Sequence, residues 1–225
     1  MTQQKRLRFP SPLTINRYLL RLGIRMHLAL FDFDGTITHE DMFSLFLKHS
    51  ASPQRKWLGR LAIMPFYTLY KLKLLPAHVM RPIASWVAFR GRDAHQLKQL
   101  GEHFAAEVIP HYLRVEAMEK LAWHQAKGDR IILVSASLDL YLAPWCQTQG
   151  IELLCSEMKI HHTALTGTYL NGDCSKTRKV ARVKAHCDID QYPRIYAYGD
   201  TDEDRPMLAL ADEAYFQWER VAPEG

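Results

Sequence analysis

The sequence predicts an α/β fold: a doubly wound parallel sheet with a helical segment inserted after its first strand. Three observations carry this. Short apolar runs at residues 28–31, 131–134 and 194–198 each end in a polar cluster, the pattern of strands buried on both faces. Residues 41–127, between the first two runs, show helical rather than alternating apolar spacing. Each polar cluster falls at the C-terminal end of its strand, where open α/β sheets bind ligands.

Residues 1–25 come first in the chain. They hold Lys5, Arg6, Arg8, Arg17, Arg21 and Arg25 and no acid. Subtracting those six from the 29 Lys and Arg leaves 23 against 24 Asp and Glu, so the net charge of +5 belongs to this leader. A nucleic-acid groove needs basic residues clustered on the folded body, and no nucleic-acid partner is expected. Two readings of the leader compete: native translation starts at Met26, or residues 1–25 are a surface arm drawn to anionic partners. The first is favoured, because every candidate catalytic element lies beyond Met26.

The first strand, near residues 28–31, runs into Asp32-Phe-Asp-Gly-Thr36. Asp32 and Asp34 crowd one strand end, and carboxylates that close call for a cation or a shared proton. One can attack phosphorus to form an acyl phosphate, while the other moves protons. Gly35 permits the sharp turn; taken alone, the cluster also reads as a solvated turn. The insertion follows. Pro53, Pro65, Pro76, Pro82 and Pro110 are expected to divide it into several helices. Residues 56–75 within it are basic and aromatic. Trp57, Leu61, Met64 and Leu69 make one apolar face, which suits either an ordinary helix or a membrane-surface contact.

Lys127-Gly128-Asp129 reads as a helix stop before the second strand. That strand ends in Ser135-Ala136-Ser137, with Ser135 a candidate phosphate contact or a simple cap. Residues 151–155 form a further candidate strand. Residues 156–172 read as a hairpin, with turn signals at Thr166-Gly167-Thr168 and Asn171-Gly172. His161 and His162 have no third metal ligand at recognisable spacing, and read as solvated hairpin residues. Lys179 opens a helix; it can neutralise phosphoryl charge or simply be solvated. The third strand leads into Gly199-Asp200 and Asp204, which alone could be an acidic helix start. Residues 214–218 close the series as a fourth strand. Cys146, Cys155, Cys174 and Cys187 show no C-x-x-C spacing and read as reduced packing residues of a cytoplasmic protein. No run reaches the roughly 20 apolar residues of a spanning helix, which leaves peripheral membrane contact open.

The order Asp-x-Asp, Ser, Lys, Gly-Asp-x-x-x-Asp resembles the four motifs of the haloacid dehalogenase-like hydrolase superfamily. Val134-Ser-Ala-Ser137, and the stretch from Thr166-Gly167 to Lys179-Val180, resemble its subfamily IB, the phosphoserine-phosphatase-like group. Asp41-Met-Phe43 and the Trp-x-Arg-Val ending at Val221 resemble phosphatidylglycerophosphatases of the C type. The resemblance implies a Rossmann-like core (residues 26–40 and 128–225) with a type I cap (residues 41–127). It also implies a phosphatase using an aspartyl phosphate, with Asp32 as nucleophile, Asp34 as acid/base, and Lys179 or its neighbour Lys176 as the third-motif lysine. Mg²⁺ is expected on Asp32, Asp200 and, through its carbonyl, Asp34, with Asp204 behind them. Ser135, Ala136 and Asp41 would contact the substrate, a small phosphorylated molecule or a lipid phosphate; His39 and Glu40 are near enough to join them. Asp41 stands where phosphoserine phosphatases carry a Glu, and Ala136-Ser137 where they carry Gly-Gly, so phosphoserine itself is not favoured. A receiver-like phospho-acceptor domain and a catalytically silent binding module are the rival classes.

Overall fold

A computed structural model of the chain describes residues 26–51, 63–72 and 74–222. The leader, Trp57 and Leu61 lie outside the described residues.

The first strand, β1 (Leu28–Phe31), is wholly buried. After it come α1 (Met42–Ser50), a helical stretch at 63–71, α2 (Ala77–Phe89), α3 (Ala94–Glu107), a 3₁₀ turn at Ile109–Tyr112 and α4 (Val115–Lys127). Pro82 lies inside α2 rather than at a boundary, contrary to expectation. Proline removes one intrahelical hydrogen bond there, and the packing of Met80, Ala84, Ser85 and Phe89 holds the helix together across it. Gly128 ends α4 in the left-handed region, φ 72°, as its sequence signal requires.

Then follow β2 (Arg130–Leu138), α5 (Asp139–Gln149), β3 (Glu152–Ser156), β4 (Met158–His161), β5 (Ala164–Tyr169) and α6 (Thr177–His186). The chain finishes with β6 (Ile195–Gly199), α7 (Arg205–Leu208), β7 (Glu213–Phe216) and β8 (Glu219–Val221). The main sheet has the order β3-β2-β1-β6-β7-β8. All pairs are parallel except β7–β8. The fourth strand therefore stops earlier than the sequence suggests. Gln217 and Trp218, both at positive φ (53° and 67°), turn the chain into β8, a two-residue hairpin connection.

Alternate residues of the central strands serve opposite faces. Ala29, Phe31, Ile131, Leu133, Tyr196 and Tyr198 pack in one cluster. Leu28, Leu30, Ile132, Val134, Ile195 and Ala197 pack in the other, with Val183 of α6 and Met207 of α7. The first face is covered by α4 and α5, and α3 packs on α5, while α2 packs on β5. Gly101 of α3 is needed for this: a Cβ there would stand 1.9 Å from the Leu140 carbonyl oxygen. Gly101→Ala is expected to cost about 2–3 kcal/mol by forcing two helix backbones apart, read as a lower urea midpoint.

β4 and β5 form a separate hairpin. Its turn is at His162 and Thr163, not at the Gly-containing sites expected from the sequence. Gly167 lies inside β5, where a Cβ would meet the α2 backbone at Trp86, 2.9 Å away. Its small size serves helix contact. The rings of His161 and His162 meet edge to face at 4.2 Å. All four cysteines are free and buried, and among the described residues no helix is long and apolar enough to cross a membrane.

Candidate active site

Sheet register gathers the chemistry. Phe31 pairs with both Leu133 and Tyr198, so β1, β2 and β6 deliver Asp32, Ser135 and Asp200 to one edge. The Asp32 backbone N–H donates to the Tyr198 carbonyl at 2.9 Å. The chain then folds back, with Ile37 and Thr38 amides donating to the Phe33 carbonyl at 2.8 and 3.0 Å. Gly35 adopts φ +80°, and a Cβ there would lie 1.9 Å from Asp200 Oδ2. The glycine thus provides both the turn and the room for a carboxylate. The β7–β8 hairpin braces this loop: Trp218 Nε1 donates to the Thr36 carbonyl at 3.1 Å.

Lys179 arrives from the first turns of α6 and is buried. Its Nζ donates to Asp32 Oδ1 at 2.5 Å and to Asp204 Oδ1 at 2.6 Å. Burial opposes its charge, but the two carboxylates hold its pKa above the usual lysine range. Lys176 is exposed at φ 52° one residue before the helix; the structure brings Lys179, not Lys176, to Asp32. Asp204 Oδ2 accepts from the amides of Asp200 and Thr201 and from the Thr201 hydroxyl, at 3.1–3.2 Å. Burial works against the charge of Asp204, yet Lys179 and these donors keep its pKa below the usual value.

Asp32, Asp200 and Asp204 each place an oxygen within 4.8 Å of the others. Three carboxylates around one ammonium leave the cluster short of positive charge. Burial and Asp204 push Asp32 well up despite Lys179, and the same two causes push Asp200 up to about 6. A hard cation fits this all-oxygen donor set. Asp204 is already engaged through both oxygens. Among the described residues, the Asp200 carboxylate accepts a single hydrogen bond, at 3.4 Å from Thr36 Oγ1, so Asp32 and Asp200 are the freer donors.

Asp34 points elsewhere. Its Oδ1 accepts from the Met42 amide at 2.6 Å, at the start of α1, and its Oδ2 accepts from the Ser137 hydroxyl. Burial and nearby Asp41 push its pKa up to about 7, against those two donors. Ser135 is buried, and its Oγ accepts from the Ser137 amide at 3.0 Å. Ala136 lines the pocket with it. Asp41 also lines it, but its carboxylate caps α1 through Ser44 N and Ser44 Oγ, at 3.3 and 2.6 Å. His39 and Glu40 stand at the same wall.

Two groups were not singled out from sequence. Ser137 was visible only as part of a strand-ending cluster, and its contact with Asp34 depends on β2 continuing to Leu138. Arg81 of α2 gave no signal at all. It donates to both Asp173 oxygens at 3.0 and 2.9 Å and to Glu203 at 2.7 Å, joining α2 to the loops before α6 and after β6. These groups open on a pocket of about 1300 Å³.

Protein CicA of Caulobacter vibrioides is 32% identical over 214 residues, 90% of either chain. A structure of a protein of unknown function from Bordetella pertussis Tohama I superposes with TM-score 0.70 at 22% identity, over 85% of this chain and 90% of that one. A substrate-bound phosphoserine phosphatase complex gives TM-score 0.61 at 13% identity, over 85% and 86%. These two structures share the fold. The family described as haloacid dehalogenase-like hydrolase matches residues 29–209, from β1 to just beyond α7. That span takes in every strand end brought to the pocket, and the chain belongs to the haloacid dehalogenase-like hydrolases.

Proposed function

We propose that this hydrolase is a Mg²⁺-dependent phosphomonoesterase acting through an aspartyl phosphate on Asp32. The observation that carries the reading is the contrast between two carboxylates on one loop. Asp32 lies against the Lys179 ammonium at 2.5 Å and beside Asp200 and Asp204, where a bound cation would favour its ionised form; Asp34 sits apart from Lys179, held by the Met42 amide and the Ser137 hydroxyl, and burial with nearby Asp41 pushes its pKa up to about 7. Environments that separate two acids in this way suit one to nucleophilic attack and the other to proton transfer.

Asp32 would attack phosphorus while the protonated Asp34 gives its proton to the leaving oxygen. The Ser135 hydroxyl and Lys179 would meet the phosphoryl oxygens. Asp34, now ionised and held by Ser137 and the Met42 amide, would take a proton from the water that cleaves the acyl phosphate, releasing phosphate and restoring Asp32. Mg²⁺, held by Asp32, Asp200 and the Asp34 carbonyl with Asp204 behind them, would supply charge neutralisation to the phosphoryl group.

The pocket supports a substrate with a sizeable apolar portion, a lipid phosphate included. It exceeds the ~300–1,000 Å³ of ordinary small-molecule sites, and Phe43, Leu47, Ile63, Met64, Tyr67 and Met80 are among its walls. Free, buried cysteines fit the cytoplasm as its location.

Hydrolysis of p-nitrophenyl phosphate tests the reading. Many turnovers per site are expected with Mg²⁺, loss after chelation and dialysis, recovery on adding Mg²⁺, and inhibition by Ca²⁺. A single stoichiometric burst would point instead to a phospho-acceptor domain. Full activity in excess chelator would remove the metal.

A further inference from the structure

We propose that the helical stretch at 63–71 and the turn after it form a docking surface for an anionic lipid bilayer, with the mouth of the active-site pocket at the membrane interface. The proposal deepens the phosphatase reading by naming a partner for the same site.

The first observation is an apolar helix with nothing packed over it among the described residues. Residues 64–71 read Met-Pro-Phe-Tyr-Thr-Leu-Tyr-Lys, and every one is exposed. Met64 is 60% exposed, and Leu72 and Leu74 in the following turn are 63% and 70% exposed. A helix this apolar is ordinarily buried, and contiguous exposed apolar surface marks an interaction site.

Charge selects the occupant. Residues 42–92 contain nine Lys and Arg and no Asp or Glu; Arg81 is already paired with Asp173 and Glu203, and among the described residues Lys48, Lys71 and Arg90 are the exposed cations of this stretch. A second copy docking through the same face would set basic surface against basic surface. The chain's own residues 1–25 are also basic and acid-free, and are a poor match for the same reason. An anionic partner is required. Phenylalanine, tyrosine and leucine interleaved with lysine match the chemistry of a membrane-surface helix, which buries its apolar side chains at the headgroup boundary while its cations meet anionic lipid.

Position supplies the link to chemistry. Ile63, Met64, Tyr67 and Tyr70 also line the pocket that holds Asp32 and Lys179, and exposed Lys48 lies on the same wall. Phe66, Leu69 and Leu72 are exposed without lining it. One short segment thus has a pocket wall and a free apolar surface. A bilayer seated on it would present an amphiphilic phosphate ester directly to the nucleophile.

Flotation of the full chain with vesicles tests this without any substrate. Binding to vesicles of equimolar phosphatidylglycerol and phosphatidylcholine is expected to exceed binding to pure phosphatidylcholine by at least about tenfold, and to weaken as salt rises and screens the cations. The double variant Phe66→Ser, Leu72→Ser is expected to lose about tenfold in vesicle binding, with p-nitrophenyl phosphate hydrolysis within about twofold of wild type. Equal binding to both vesicle types, or a variant that binds like wild type, would overturn the docking surface. So would a concentration-dependent dimer that binds no vesicles, which would give the face to a second copy. Vesicle binding by a protein that hydrolyses no phosphomonoester would count against the phosphatase reading alone.

Discussion

Asp32→Asn is expected to abolish phosphomonoester turnover, by at least about 10⁴-fold, while leaving the fold intact. The amide is nearly the same size and can still accept the hydrogen bond that Lys179 Nζ gives to Asp32 Oδ1, but it is a poor nucleophile. Stability should not fall, because burial and the neighbouring Asp204 and Asp200 already work against charge at this position. A neutral side chain relieves part of that strain. Asp34→Asn makes the comparison sharp. On the proposed mechanism it loses proton transfer but keeps the nucleophile, and should fall only by the ~10²–10⁴-fold of general acid–base catalysis. The check is a steady-state rate on p-nitrophenyl phosphate beside a urea unfolding curve for each variant. If Asp32→Asn kept a tenth of wild-type activity, the covalent route would be wrong.

Lys179→Met is expected to damage both activity and stability. The ammonium bridges two buried carboxylates, Asp32 and Asp204. Removing one member of a buried ion pair leaves uncompensated charge and costs about 3–5 kcal/mol. Activity should fall by about 10²–10³-fold or more, since on the proposed mechanism the cation that would meet the phosphoryl group is lost as well. A double variant, Lys179→Met with Asp204→Asn, separates the two effects. Neutralising Asp204 removes one unpaired charge, and the amide oxygen can still accept from the Asp200 and Thr201 amides. Unfolding midpoints should recover in part while the rate does not. Recovery of both would show that Lys179 is structural only. Lys176→Met, exposed and outside the pocket, should change neither.

The sequence by itself determined what could be read within a few neighbouring residues. Apolar runs closed by Asp32, Ser135 and Asp200 located β1, β2 and β6, because a strand buried on both faces needs continuous apolar side chains. The stop at Gly128 was equally legible, since a left-handed helix end favours glycine. What depended on partners far along the chain was decided by tertiary structure. Lys179 and Lys176 are equivalent as a local pattern; the orientation of α6 against the sheet puts one on Asp32, 147 residues away in sequence, and the other in solvent. Ser137 reaches Asp34 only because β2 continues past Ser135. Arg81 meets Asp173 and Glu203 only once α2 lies across the loops at the strand ends. The glycine signal at Thr166-Gly167-Thr168 suggested a turn, but Gly167 instead gives room for the α2 backbone at Trp86. In each case the deciding quantity is the register and packing of segments against one another, set by side-chain volume and burial across the whole core, and no local spacing encodes it.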